Sequence, residues 1–502
     1  MTTAHATGTA RPPDFDNSYS RLPAHFYARQ QPVPVAAPQR LAINEALAGE
    51  IGIDPAWLAG DDGLAMLAGN RLPETSRPLA MAYAGHQFGN WVPQLGDGRA
   101  LLIGELVDAS GVRRDIQLKG SGPTPFSRGG DGRSSIGPVV REFLASEAMA
   151  ALGIPTTRAL GAVSTGETVM RQRPEPGGIL CRVAASHVRI GTFEYFARRG
   201  DNDATRTLAD YLIDRQAPDL SGQPDRHGVL LERTIRRTAE LVSAWMQVGF
   251  IHGVMNTDNT SMAGETIDYG PFGFIDHFDP QTVYSSIDRR GRYAWDQQPG
   301  IAQWNLARLA ECWLPLLAED PDAALARANA AIEIFPGHFE AHFHAGLVAK
   351  IGLTDATPEA RELAFDLLRR MHANQADMTL TFRRLGDLAT DHSGHDAGVR
   401  ELFTDPGAFD QWAVGWRELL SAEGRDPAAR QRAMQRINPA YILRNHLAQH
   451  AVDSAIEGLD FAPMHELSRV LARPFDDQPE ADAQLGMPPR PDQRVLQTFC
   501  GT

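Results

Sequence analysis

The spacing of apolar residues changes character along the chain and divides it. From about 81 to 175, short apolar runs are bounded by Gly, Pro and Asp. Ala100-Leu-Leu-Ile-Gly-Glu-Leu106 and Asp115-Ile-Gln-Leu-Lys119 predict strands, as do residues 157–164 and 168–171. Between them, Val139, Val140, Phe143, Leu144, Ala148 and Leu152 recur at helical spacing. They predict a helix over 139–152, with Pro138 in its first turn and Gly153 at its stop. From about 203 onward a helical period dominates, over 206–215, 232–248, 303–317, 358–372 and 439–456. Residues 320–353 resemble one tetratricopeptide-like hairpin, but no second copy follows, so ordinary helix packing is expected. Residues 1–80 are rich in Pro and Ala, with one helical stretch around 41–49. They are expected to form an extended lead-in on the surface. A β-rich part followed by a helical part is an α+β order.

Composition narrows the function classes. A chain of 502 residues accommodates two or three domains or one bilobal unit. A formal net charge of −14 provides no global field for gathering nucleic acid. No run approaches the ~18 apolar residues of a membrane helix, and residues 1–23 lack the apolar stretch of a signal peptide. Three cysteines, Cys181, Cys312 and Cys500, fit a reducing compartment, so a cytoplasmic location is expected. Of 48 Lys and Arg residues only Lys119 and Lys350 are lysines. A position that stays lysine in such a chain points to a need for a compact ammonium. Lys350 looks like a chance survivor; Lys119 must be judged by its neighbours.

Those neighbours carry chemistry. Gly96-Asp97-Gly98-Arg99 precedes the strand 100–106, where glycines let backbone N–H groups approach phosphate, although a plain hairpin turn explains the string equally well. No Gly-x4-Gly-Lys-Ser/Thr string occurs, which removes the P-loop enzymes. Lys119 ends the next strand and Glu142 lies on the following helix, the order in which kinases pair a strand lysine with a helix glutamate. Glu147, one turn on, competes for that role. In Ile251-His-Gly-Val-Met-Asn-Thr-Asp-Asn259 the asparagine follows His252 at the spacing of a kinase catalytic loop. Asp268-Tyr269-Gly270 then stands where kinases carry Asp-Phe-Gly. Asn259 and Asp268 are oxygen ligands suited to Mg²⁺ on phosphates. The kinase base position holds Val254, which accepts no proton; the available carboxylate is Asp258. Either catalysis is absent or it uses another geometry. His338, His342 and His344 are expected to be structural, since His342 and His344 lie on different helix faces.

Tyr83-Ala-Gly-His-Gln-Phe-Gly89, Gln94-Leu-Gly-Asp-Gly-Arg99, Gln117-Leu-Lys-Gly-Ser-Gly-Pro-Thr-Pro-Phe-Ser-Arg128 and His252-Gly-Val-Met-Asn-Thr-Asp-Asn259 resemble selenoprotein O and its bacterial relatives. The likeness runs from Asn17 to the C-terminus. It implies a pseudokinase-like enzyme that transfers AMP from ATP to Ser, Thr or Tyr hydroxyls of proteins, itself included, with Mg²⁺ or Mn²⁺. UMP transfer from UTP is a second implied activity. The fold implied is protein-kinase-like and bilobal. It comprises an N-terminal extension (1–80), a β-rich N-lobe (81–175), an extended helical C-lobe (176–490) and a flexible tail (491–502). The resemblance further implies an inverted nucleotide, its γ-phosphate buried and its α-phosphate facing the acceptor. Gly96, Gly98 and Arg99 would contact it, and Lys119, Asp131, Gly132, Arg182 and Arg189 would line the phosphate end. Glu142 would hold Lys119, Asn259 and Asp268 would bind the metal, and Asp258 would accept the proton. Cys500 stands where animal members carry selenocysteine and is a redox candidate. The rival readings are a conventional γ-phosphoryl kinase and an inert nucleotide-binding scaffold.

Overall fold

The stretch Ala100–Val107 is buried at every position but the last, so it needs cover on both faces. The computed structural model, which describes residues 11–388, 396–481 and 483–499, shows how that cover is built. Strands in chain order are β1 (Tyr27–Arg29), β2 (Gln39–Ile43), β3 (Leu79–Met81), β4 (Gly85–Gln87), β5 (Asn90–Val92) and β6 (Ala100–Val107). They continue with β7 (Arg113–Lys119), β8 (Ser134–Ser135), β9 (Arg158–Met170), β10 (Pro174–Ala184), β11 (Phe250–Ile251) and β12 (Gly273–Phe274). The main sheet runs β1-β3-β6-β7-β10-β9-β2, with β8 added on β10, and its pairings are antiparallel.

Alternation along β7 sorts its side chains. Ile116 and Leu118 face a core with Leu101, Ile103, Cys181 and Val183, closed by Leu47, Trp57, Leu58 and Met66 of the N-terminal helices. Asp115, Gln117 and Lys119 occupy the alternate positions and so the opposite face, toward the long helix Ile136–Ala151 and the helical part. Residues 11–80 are therefore no surface lead-in. They supply both edge strands, β1 and β2, and the layer behind the sheet, because strands buried on both sides require two covering layers. Likewise β10 runs through the expected lobe boundary at 175 without a break.

Most predicted elements occur, with shifted ends. The two strands expected at 157–164 and 168–171 are one, β9, which continues through Gly166 at φ +69°. The helix expected at 139–152 is Ile136–Ala151, and Gly153 stops it at φ +76°. Helices Asn202–Gln216, Arg226–Gln247, Gln298–Leu317 and Pro358–Ala373 extend those expected. The one expected from 439 begins only at Asn445. Before it, Arg444 is fully buried and pairs with Asp276 at 2.8 Å and Asp377 at 2.6 Å. Within 320–353, helix Pro321–Ile332 packs on Gln298–Leu317, and Ile334–Lys350 lies along Arg226–Gln247. No helix among the described residues is long and apolar enough to cross a membrane.

Candidate active site

A cavity of about 750 Å³ opens between the sheet, the helix Ile136–Ala151 and the loops after β11, large enough for a nucleotide. Lys119, at the end of β7, enters it. Its Nζ lies 2.5 Å from Glu142 Oε2 and 3.2 Å from Asp268 Oδ1. Glu147, the competing partner, faces elsewhere and is held by Arg158 at 2.7 Å and Asn44 at 2.7 Å. Register does the rest. On β10, Arg182 stands opposite Gln117 and sends Nη1 to Glu142 Oε1 (3.1 Å) and Asp268 Oδ1 (2.5 Å). Gln117 Oε1 accepts from Arg182 Nε at 3.0 Å and fixes the guanidinium plane.

Arg189, just before the helix Ile190–Ala197, closes the cluster, with Nη1 2.5 Å from Asp268 Oδ2 and 2.8 Å from the carbonyl of Asp258. Its guanidinium also lies over the Tyr83 ring, 4.7 Å from the centroid. Burial alone would raise the Asp268 carboxyl. Arg189, Arg182 and Lys119 outweigh it and hold the group well below the usual carboxylate range. Asp268 is at φ +60°, a left-handed conformation costly for a residue with a side chain, and strain of this kind concentrates at functional sites.

The loop bearing Asp258 and Asn259 is anchored from below. His252 is buried; its Nε2 donates to the Ile267 carbonyl at 2.8 Å and its Nδ1 accepts from Val254 N–H at 3.3 Å. Burial lowers its pKa and keeps it neutral, as that pattern requires. One side chain thereby ties the loop after β11 to the segment preceding Asp268. The antiparallel pair β11–β12 brackets both. Asp258 is 7% exposed; its Oδ2 accepts from Gln87 Nε2 at 3.3 Å, while its Oδ1 is buried with no hydrogen-bond partner. Burial pushes its carboxyl up to about 6, against the Gln87 hydrogen bond and Arg189. Gly85 is needed beside it, since a Cβ there would stand 2.6 Å from Asp258 Oδ1.

Asn259 donates Nδ2 to the Val254 carbonyl at 2.9 Å, which leaves its amide oxygen for another partner. This oxygen, the orphaned Asp258 Oδ1 and the Asp268 carboxylate fit the hard-oxygen preference of a divalent cation.

Gly96 and Gly98 line the cavity, but packing explains them. At Gly96, φ is +77° and a Cβ would meet the Phe126 ring at 2.3 Å; at Gly98 it would meet the Phe126 carbonyl at 2.9 Å. Arg99 also lines the cavity, with Nη1 buried and unpaired. Asp131 and Gly132 line it too, yet Asp131 is not joined to the cationic cluster. Its carboxylate is half exposed and pairs with Arg171 at 2.9 Å.

The chain end departs from expectation. Thr498 is buried and donates its N–H to the Tyr284 carbonyl at 2.7 Å, and Phe499 joins it in lining the cavity. The tail is thus anchored at Thr498 beside the cavity, while Leu496 and Phe499 stay largely exposed. Cys500 lies outside the described residues. Cys181 and Cys312 are buried.

Sequence reasoning passed over several members of the site. Asp97, buried between the two glycines, accepts from Met81 N–H at 3.1 Å and Gln117 Nε2 at 3.3 Å. Its place inside Gly-Asp-Gly was the available signal. Under the Asp258 loop, Glu194 accepts from Thr257 Oγ1 at 2.5 Å and contacts His86 Nδ1 at 2.5 Å, and burial raises it to about 7. No local motif marks Glu194, since its partners come from two distant segments.

Known proteins resemble this chain over nearly its whole length. The family model described as "Protein adenylyltransferase SelO" matches residues 12–472. The chain is 61% identical over 488 residues to the protein nucleotidyltransferase YdiU of Alkalilimnicola ehrlichii, covering 97% of this chain and 98% of that one. It is 56% identical over 488 residues to the protein of the same name from Rhodopseudomonas palustris strain BisB5, covering 97% and 99%. The corresponding Bradyrhizobium sp. protein (strain BTAi1) is also 56% identical, with the same coverage. A cation cluster built on a strand lysine, a family match across most of the chain and relatives alike over nearly their whole length agree: the chain belongs to the SelO family of protein adenylyltransferases.

Proposed function

We propose that this protein adenylyltransferase holds ATP inverted on a kinase-like bilobal frame and transfers its AMP moiety to Ser, Thr or Tyr hydroxyls of proteins, its own included. The observation that carries the reading is the convergence of Lys119, Arg182 and Arg189 on the single carboxylate of Asp268. Two buried guanidiniums beside a partly buried lysine are more than a kinase lysine supplies, and their excess suits a buried γ-phosphate. The kinase-like frame is supported by the Lys119–Glu142 pair and by His252 bridging to the residue before Asp268.

In this reading the triphosphate displaces Asp268 from the cations. Lys119, Arg182 and Arg189 turn to the β- and γ-phosphates, and Glu142 keeps Lys119 aimed. Arg99 contacts the nucleotide with its unpaired Nη1, the turn Gly96–Gly98 shapes the wall, and Asp131 and Gly132 form part of the rim. Asn259 and Asp268 would hold Mg²⁺ or Mn²⁺, which when bound neutralises phosphate charge. Asp258 takes the proton of the acceptor hydroxyl as its oxygen attacks the α-phosphorus, and pyrophosphate leaves toward the cations. Val254 offers no base where a γ-phosphoryl acceptor would sit in a kinase. UTP as an alternative nucleotide, protein rather than nucleic acid as the macromolecular partner, and a cytoplasmic location belong to the same proposal.

Two radiolabels decide it. Incubated with protein substrate and Mg²⁺ or Mn²⁺, label from α-phosphate-labelled ATP should appear on protein hydroxyls and γ-label should not. Transfer of γ-label alone would restore the ordinary kinase, and transfer of neither would leave an inert scaffold.

A further inference from the structure

Away from the nucleotide cavity, two histidines and a glutamate meet on the face of a helix pair. His338 and His342 are one turn apart on the helix Ile334–Lys350, so their side chains share a face. Glu240 reaches them from the neighbouring helix Arg226–Gln247. Both imidazoles address one oxygen: Glu240 Oε1 is 2.8 Å from His338 Nε2 and 3.5 Å from His342 Nε2. The two rings stand 4.7 Å apart, and all three donor atoms lie within 4.8 Å of one another. We infer that Glu240, His338 and His342 form a second metal site, for a borderline transition-metal cation of the Zn²⁺ class.

The bland alternative is a surface hydrogen bond with a second histidine nearby. Geometry favours the metal. Around Zn²⁺ with bonds of about 2.0–2.1 Å, neighbouring tetrahedral ligands are roughly 3.3 Å apart. The observed separations bracket that edge, and small side-chain rotations complete it. Two imidazoles and one carboxylate suit Zn²⁺, whereas Mg²⁺ prefers oxygen donors and retained water. His342 and Glu240 are each 48% exposed, so the cation has an entry path and the fourth position opens to solvent.

The helices that carry the ligands are closely mated. A Cβ on Gly346 would stand 2.0 Å from Gln247 Oε1, so the Gln247 side chain lies directly against the Gly346 backbone. Phe335, Phe339 and Phe343 stack in a ladder on the same helix, with centroids 6.1 and 5.5 Å apart, and steady the adjoining histidine turn. The helix that bears Glu240 ends at Gln247, immediately before β11 and the loop of His252. A cation at this site would clamp the helix Ile334–Lys350 to the helix that leads into the loop of His252. Its binding counts as folding free energy, so it should raise the melting temperature.

Zn²⁺ titrated calorimetrically into the full chain under saturating Mg²⁺ tests the site. Wild type and Asp268→Asn, which disarms the nucleotide site, should bind one Zn²⁺ here alike, and Zn²⁺ should raise the melting temperature of both. The double variant His338→Gln/His342→Gln should bind more weakly by about 100-fold or more, since even outer-shell partners of metal ligands are worth about 10–100-fold. Its melting temperature should not respond to Zn²⁺. Glu240→Gln, which alters only a half-exposed carboxylate, should show the same loss of affinity and keeps the test open if the double variant folds poorly. Wild-type Zn²⁺ affinity in both the double variant and Glu240→Gln would overturn the inference. So would loss of binding in Asp268→Asn alone, which would place the cation in the nucleotide site.

Discussion

Arg189 Nη1 and Asp268 Oδ2 lie 2.5 Å apart, completing a ring in which one carboxylate answers three cations. The carboxylate expected to hold a metal and the guanidinium expected to hold a phosphate neutralise each other. Nucleotide binding on this arrangement is an exchange of partners rather than the filling of a bare pocket.

Removal of that carboxylate should therefore be felt before any nucleotide arrives. Asp268→Ala leaves Arg182 and Arg189 buried without it, and loss of one partner of a buried pair costs about 3–5 kcal/mol. Thermal unfolding should show that loss, and metal-free ATP should restore more stability to the variant than it adds to wild type. Calorimetry should find metal-dependent nucleotide binding abolished; unchanged Mg-ATP affinity would remove Asp268 from the site.

Lys119→Arg should be nearly as damaging as Lys119→Ala. The ammonium sits between Glu142 at 2.5 Å and Asp268 at 3.2 Å with Arg182 already against both carboxylates, leaving no room for a second planar fork. Transfer rates of the two variants should agree within about tenfold. Near-normal activity of the arginine variant would show that charge alone suffices.

Asp258 must be ionised to accept a proton, and burial pushes it up to about 6. Transfer should accordingly rise with pH through about 6 and level off above it. Asp258→Ala should slow transfer by about 10²–10⁴-fold with a smaller change in ATP affinity. A flat rate profile from pH 5 to 8 in wild type would assign the proton to another group.

The second lysine lies in the core. Lys350 is 3% exposed, with its ammonium 4.8 Å above the Phe382 ring, and burial pushes it down to about 7 from its ordinary 10.5. Between those two values the unfolded chain binds more protons than the folded one, so native stability rises with pH across that window. Lys350→Met should stabilise the protein at pH 6, on the order of a few kcal/mol, and the gain should vanish near pH 10.5. Thermal melts at the two pH values measure it; a gain independent of pH would place the effect in packing instead of charge.

Much of the site was readable because its members lie in short strings where backbone and side chain act together. Lys119, Asn259 and Asp268 stand at kinase-like spacing, and the structure brings them to one cavity. Glu142 over Glu147 was settled by helix phase, since five residues turn the two side chains about 140° apart and Arg158 captures the second. Glu194 and Gln117 were invisible for a different reason. Their roles exist only through partners on other segments, and a buried acceptor has no local signature. Residues 11–80 were misjudged because edge strands are short and Pro-tolerant, and resemble loop until a sheet stands beside them.

The placement of those edge strands governs how the chain must assemble. Gln39 pairs with Ser164 and Tyr27 with Met81, so the first strands made wait for partners synthesised later, and β2 waits longest. Until β9 has emerged, β2 has no strand to pair with, and the N-terminal helices have only β6 and β7 to close upon. Unpaired strand edges and open apolar surface make such a stage prone to aggregation. Trimming the chain to its kinase-like motifs would make that transient exposure permanent, baring two sheet edges and the Leu118 face at once.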